Sequence, residues 1–216
     1  MAKKSLAPRQ ARSRESERKL LDAALHLLMA QGLEGTTIPR IAAQAGLTPG
    51  AVYRRFPDKT ALLEAVVLAT VEETQKGLMR TLNPALAEKE PLPALLGALI
   101  SSMIKSYRTH AGVIRCMRQL ANASEHQGFR KKVVRIETRS FEHLIEVLLT
   151  YRKEIRHPDP ALAISLALTA LNCTLLELFL VDTQLGSWPP FLPQDDAALK
   201  QELTRMFLRQ LGYKDA

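Results

Sequence analysis

The stretch from Thr36 to Lys59, TTIPRIAAQAGLTPGAVYRRFPDK, admits few local conformations. A Thr cap, at Thr36 or Thr37, opens a helix with Pro39 in its first turn, where a missing N–H costs little. Ile41, Ala42 and Ala45 give that helix one apolar face. Gly46 stops it, because glycine enters the left-handed region without steric penalty. Thr48 then caps a second helix with Pro49 at its first helical position. Val52 and Phe56 point inward at helical spacing, which leaves Gly50, Ala51, Tyr53, Arg54 and Arg55 outside.

That outer face is small near its N-terminus and aromatic or basic further on. Small residues let a helix end approach DNA closely, and a helix N-terminus favours phosphate. A helix entering the major groove by its N-terminal residues is the helix-turn-helix mode of docking. The competing reading is a helical hairpin inside an ordinary core, and spacing alone does not separate the two.

The run LLDAALHLLMAQGLEGTTIPRIAAQAGLTPGAVYRRFPDKTALLEAV resembles the DNA-binding domain of the TetR family of transcriptional regulators. The matching elements are the Ala-Ala of the first helix, Gly32, Thr36-Thr37, Ile41-Ala42, Ala45-Gly46-Leu47, Gly50, Tyr53, Phe56, Lys59 and Leu62-Leu63. They cover about the first third of the chain. The resemblance implies an all-α fold. In it a three-helix DNA-binding domain is joined through a fourth helix to a helical ligand-binding and dimerisation domain. It also implies a bacterial, cytoplasmic regulator acting as a homodimer on a pseudo-palindromic double-stranded operator, released by a small-molecule effector, with no cofactor. Arg40 stands where many members carry an acid, and Arg55 where the family usually has Tyr or His. Both changes add positive charge, so the operator cannot be copied from a relative.

Charge distribution agrees with a polyanion partner. The net charge is +8, and residues 1–60 hold 11 basic and 5 acidic residues, net +6, against 19 and 17, net +2, in residues 61–216. A concentrated positive patch is the electrostatic footprint of nucleic-acid binding, although a membrane surface gives the same signal. On this reading Arg40, Thr48, Pro49, Gly50, Ala51, Tyr53 and Arg54 face the groove or its walls, and Thr37, Arg55 and Lys59 hold phosphates. Asp58 caps the fourth helix, and Lys59 in its first turn suits a phosphate.

Along the chain, residues 1–13 read as a flexible basic arm, equally open to reaching DNA or remaining a solvated tail. Residues 14–60 form the DNA-binding domain, with its motif at about 37–56, and residues 61–216 the second domain. The first helix is expected from about Arg14 to Gln31, with Leu20, Leu21, Ala24, Leu25 and Leu28 on one stripe. The fourth continues to about Met79, and a proline-rich break follows at Asn83 to Pro93. Five further helices are predicted: Pro93–His110, Gly112–Ala123, Phe129–Ile155, Pro160–Asp182 and Asp195–Leu211, with a loop around Trp188 before the last. No useful period-2 alternation occurs, so no sheet is expected.

Ala161 to Val181 is apolar nearly all round, which means burial on all sides or a membrane span. Asn172 and Glu177 argue against lipid, and no membrane partner is expected. The family architecture places the last two helices at a two-fold interface, with Leu162, Leu166, Leu168, Leu176, Phe179, Leu203 and Phe207 as contributors. It places an effector pocket among the middle helices, where the candidates are Met103, Tyr107, Arg115, Met117, Leu120, Phe141, Ile145, Asn172 and Trp188. For the apolar ones, plain core packing is the competing explanation.

Arg130, Lys131, Lys132, Arg135 and Arg139 give the long middle helix a basic face, either simply solvated or meeting an anionic partner. Cys116 and Cys173 form neither a disulfide framework nor a metal-ligand spacing. Motifs for nucleophilic, phosphate-cradling or zinc chemistry are missing, so no enzyme and no metal is expected, and no signal peptide is visible. The alternative to a regulator is an all-helical protein-interaction or membrane-surface module with a basic N-terminus.

Overall fold

In the computed structural model, which describes residues 6–122, 127–180 and 195–214, the chain is all-helical, with no strand among those residues. The helices are α1 (Leu6–Gly35), α2 (Ile38–Gln44), α3 (Pro49–Tyr53), α4 (Lys59–Thr81), α5 (Pro84–Ala87), α6 (Leu92–Asn122), α7 (Gln127–Leu149), α8 (Pro160–Leu180) and α9 (Asp196–Leu211). The chain divides into two compact units. The first is Met1–Val71 with Gly112–Lys132, and the second is Glu72–Ala111 with Val133–Ala216. The division points between these units fall inside α4, α6 and α7.

In the first unit α1 begins at Leu6, eight residues before its predicted start, so helical backbone reaches into the expected arm. Leu, Ala, Arg and Gln propagate a helix well, and Pro8 sits in the first turn where it is tolerated. Gly32 breaks α1 as predicted, at φ 66° and ψ −170°. The Thr36 hydroxyl, buried, donates to the Gly32 carbonyl at 2.7 Å and so stabilises the bend. Leu20, Ala23, Ala24 and Leu27 of α1 pack with Ile38, Ile41, Ala42, Val52, Phe56, Leu62 and Val66 in one cluster. Leu21 and Leu25 lie at its edge.

The second half of α6 belongs to this unit. The helix is broken at His110 (φ −108°, ψ 20°), where the sequence predicted an end. Just beyond, a Cβ on Gly112 would stand 2.6 Å from the Leu28 carbonyl oxygen, so only glycine allows the two backbones this close. Val113 and Cys116 follow on the buried side. Burial raises the Cys116 thiol to about 11, with the Lys59 charge acting weakly the other way.

The second unit is built on Leu95, Leu96, Leu99, Ile100 and Ile104 of α6, Leu144, Val147 and Leu148 of α7, and the inner faces of α8 and α9. α7 ends at Leu149, earlier than the predicted Ile155; turns follow, and Tyr151 and Ile155 still reach the core. The Tyr151 hydroxyl lies 2.7 Å from the Ala87 carbonyl and 2.6 Å from that of Glu90, which anchors the short α5 region that the sequence left as a break. α9 is capped by Asp195, whose carboxylate accepts from the Ala198 N–H, and ends at the left-handed Gly212.

Within a single chain α8 is covered on one side. Ala163, Ile164, Ala167, Leu168, Leu171 and Leu175 are buried, but Leu162 and Leu166 are 59% and 53% exposed. By length and composition alone α8 could cross a membrane, with a mean hydropathy of 1.8 over its apolar window. The predicted end of this helix at Asp182 and the loop carrying Trp188 lie outside the described residues.

Two glycines should respond oppositely to alanine. At Gly112 the helix gains about 0.5–1 kcal/mol of propensity, but the collision with backbone costs about 1–3 kcal/mol, so Gly112→Ala should destabilise. At Gly77 in α4 a Cβ meets nothing within 4 Å, so Gly77→Ala should stabilise by about 0.5–1 kcal/mol. Urea unfolding of both variants checks the signs. Cys116 should resist a thiol reagent at pH 8 in the native chain and react only after denaturation; rapid native labelling would contradict its burial.

Candidate nucleic-acid interface

The turn between α2 and α3 is defined by backbone geometry. Gly46 adopts φ 66° after the last turn of α2. The Leu47 N–H donates to the Ala42 carbonyl at 2.8 Å, and the Gly46 N–H to that of Ala43 at 3.1 Å. This pair of bonds closes the carbonyl end of α2 and reverses the chain in three residues. The Thr48 hydroxyl accepts from the Ala51 N–H at 3.3 Å, and Pro49 opens α3, as the sequence indicated. Thr37 is the cap of α2 but makes no side-chain capping bond.

Val52, fully buried, and Phe56, 9% exposed, hold α3 to the core of the unit. The opposite side presents Thr48, Pro49, Gly50, Tyr53 and Arg54, all exposed, with Ala51 half-buried. Tyr53 is 56% exposed, which is unusual for a large aromatic side chain and leaves its ring and hydroxyl open to a partner. Arg40 on α2 is also exposed, and its Nη1 donates to the Gly35 carbonyl at 3.1 Å. The structure therefore gathers the expected groove-facing residues on α2 and α3.

The expected phosphate holders are partly engaged within the protein. Arg55 turns back to α1, where its guanidinium lies 3.3 Å from the Glu17 carboxylate and donates to the Ser13 hydroxyl at 2.9 Å. Its side chain is 22% exposed against 49% for Glu17. Lys59 donates to the Leu33 carbonyl at 2.8 Å, just past the Gly32 bend, and ties the start of α4 to the end of α1. The Asp58 carboxylate accepts from the Ala61 N–H at 2.8 Å and caps α4 as predicted. Sequence reasoning missed Ser13 and Glu17, and the 2.8 Å contact between Gln44 Nε2 and His26 Nδ1 that joins α2 to α1. No local pattern announces these pairs, which are 18 to 42 residues apart.

The effector and dimer candidates divide as well. Met103, Tyr107, Phe141 and Ile145 are half-buried against the core of the second unit. The Tyr107 hydroxyl donates to Asn172 Oδ1 at 2.5 Å, and beside it the Arg108 guanidinium sits 4.8 Å from the Phe179 ring centroid. Arg108 also forms a forked ion pair with Asp196 at the start of α9. Arg115, Met117 and Leu120 belong instead to the first unit, and Trp188 lies outside the described residues.

Of the interface candidates, Leu162 and Leu166 are exposed, and Leu176 and Phe179 half-buried. Leu168, Leu203 and Phe207 are not available to a partner: at 1%, 5% and 0% exposure they fill the core of the unit, because their side of each helix faces the chain's own apolar centre. Met206, 40% exposed, stands on the outer side of α9. It lines a groove of about 310 Å³ with Glu202, Arg205, Arg209 and Gln210. Among the described residues, no group of acids, histidines and cysteines is placed to hold a metal.

Known proteins share both the sequence pattern and the fold. Residues 20–66 match the bacterial regulatory proteins of the tetR family, and residues 91–211 match the tetracyclin repressor-like C-terminal domain. Over 97 residues, 45% of this chain, the sequence is 31% identical to the uncharacterized HTH-type transcriptional regulator TtgW of Pseudomonas putida, covering 72% of that protein. It is likewise 31% identical over 97 residues to the HTH-type transcriptional regulator SrpR of Pseudomonas putida, but there the match spans only 46% of the relative's length. A solved protein from Mesorhizobium loti superimposes with a TM-score of 0.68 at 22% identity, over 92% of this chain and 97% of that one. The regulator FadR of Bacillus subtilis, solved in complex with stearoyl-CoA, gives 0.62 at 18% identity over 89% and 98%. With a capped and exposed α3, and family matches that together extend from residue 20 to residue 211, this chain belongs to the TetR family of helix-turn-helix transcriptional regulators.

Proposed function

We propose that this regulator is a ligand-released repressor that binds a pseudo-palindromic operator as a homodimer. The observation that carries the DNA half is the outer face of α3: a capped helix start, Pro49 and Gly50 with no bulk, then Tyr53 and Arg54 one turn on. Arg40, Thr48, Pro49, Gly50, Ala51, Tyr53 and Arg54 meet the groove and its walls. Thr37, Arg55 and Lys59 hold phosphates. The internal bond of Lys59 leaves other ammonium hydrogens for DNA and fixes where the charge stands. Arg55 has to share its guanidinium with Glu17, so its contribution is the smaller.

The dimer is supported by the outer stripe of α8. Leu162 and Leu166, with Met206 of α9, leave apolar surface that a twin chain would bury. Two recognition helices held roughly 34–36 Å apart reach successive major grooves, so any change in that separation weakens both half-sites. The effector site is supported by Tyr107 and Asn172, a half-buried polar pair whose tyrosine ring lies 6.4 Å from that of Phe179. A fold neighbour holds stearoyl-CoA, which makes long-chain amphiphiles the first ligands to screen. An effector releases DNA only if it binds the DNA-incompetent state better.

Selection of bound duplexes from a random pool should enrich an inverted repeat; no enrichment, with binding that collapses as salt rises, would leave only a basic surface. Tyr53→Ala combined with Lys59→Ala should lower affinity for every sequence by at least about tenfold, and an unchanged gel-shift titration would remove both residues from the interface. Leu166→Glu should convert the dimer to a monomer in sedimentation velocity while the melting temperature stays within a few degrees. A dimer that persists would move the two-fold interface away from the outer face of α8.

A further inference from the structure

The division of the chain redistributes its charge. The first unit contains Gly112–Lys132 as well as the helix-turn-helix. With that segment it holds 16 basic and 7 acidic residues, net +9, and the second unit holds 14 and 15, net −1. The whole positive excess of the protein therefore sits on one compact unit, and Gly112–Lys132 supplies net +4 of it from 21 residues.

Three observations bear on what this segment can meet. First, Arg118, Arg130, Lys131 and Lys132 are exposed, and among the described residues none is paired with a carboxylate. Second, Arg130, Lys131 and Lys132 stand at the opening turns of α7, whose first turn has no acid, so they lie toward the positive end of the helix dipole. Charges placed there oppose helix stability. Third, the segment buries its apolar residues Val113, Cys116, Leu120 and Phe129 and turns polar and cationic groups outward, with no large apolar side chain among its described residues exposed to enter a lipid surface. Its root is fixed by Gly112 against Leu28, and Cys116 lies close enough to Lys59 to feel its charge.

We propose that Arg118, Arg130, Lys131 and Lys132 make a second, sequence-independent contact with the DNA backbone, to phosphates outside the stretch read by α3. The inference rests on the DNA-binding reading of α3. The phosphate backbone is the polyanion that this unit meets on that reading, and each cation that contacts a phosphate releases a condensed counterion. These contacts carry affinity and leave base preference to the residues of α2 and α3.

The test uses the full-length protein on two duplexes of equal length, one with the selected repeat and one of random sequence, titrated by fluorescence anisotropy across a salt series. Replacing Arg118, Arg130, Lys131 and Lys132 together by Ala should weaken binding to both duplexes at least about tenfold. It should also reduce the slope of log affinity against log salt by roughly three to four per chain, and so by about seven for a bound homodimer, with the preferred repeat unchanged. The variant Arg118→Lys with Arg130→Lys should keep the wild-type slope. Equal slope and affinity in the alanine variant would overturn the proposal while leaving the α3 reading intact. If instead the wild type selects no repeat, the α3 reading falls, and the slope on random duplex still decides the role of this segment. Binding to phosphatidylserine vesicles that is lost in the alanine variant, with the DNA slope unmoved, would also overturn it, in favour of a membrane.

Discussion

The reversal at Gly46 is the constraint on which the DNA-binding unit depends. One residue in the left-handed region lets Leu47 and Gly46 return hydrogen bonds to the last turn of α2, and Thr48 restarts the helix at once. A residue with a Cβ at that φ would be strained, and a longer loop would lose the fixed angle between α2 and α3. The packing of Val52 and Phe56 then decides which side of α3 is outward. Five helical residues are too few to be stable alone, so α3 exists because the turn and the core hold it.

Around this turn, charged side chains have structural duties. Lys59 joins α4 to the bend after Gly32, Arg40 returns to the Gly35 carbonyl, and Arg55 is held by Glu17 and Ser13. These are exposed or half-exposed contacts, so each contributes little to stability, about 1 kcal/mol or less. On the proposed DNA-binding role of these residues, their larger effect is to fix where positive charge stands before DNA arrives, which reduces the ordering cost of binding.

α8 is more apolar than its own chain's core can cover. Composition reads it as buried on every side, and within one chain Leu162 and Leu166 lie in the open. One side of α8 is filled by the chain's own core, and the other is left over. Covering the 59% and 53% of these leucines that is still exposed is worth about 1–1.5 kcal/mol each, which is the physical reason to expect a partner there.

Much of the fold was legible in the sequence because it is set by short-range rules. Thr48, Asp58 and Asp195 cap their helices by bonds three residues long, Gly32 and Gly46 take the backbone where other residues are strained, and the 3.6-residue period assigned Leu62, Leu63, Val66 and Val67 to the core. The outer residues of α3 could be named for the same reason. What the sequence did not reveal depends on partners far away along the chain. Leu168, Leu203 and Phe207 look like interface residues until the core claims them, and Arg55 looks free until Glu17 folds against it. Gly112 is one more helical glycine until the Leu28 carbonyl takes the space of its missing Cβ, and the cations that follow belong to the second domain until packing joins them to the first. Periodicity and capping are properties of neighbouring residues, whereas the choice between a core and a surface, or between one unit and another, is made by contacts that only the folded chain brings together.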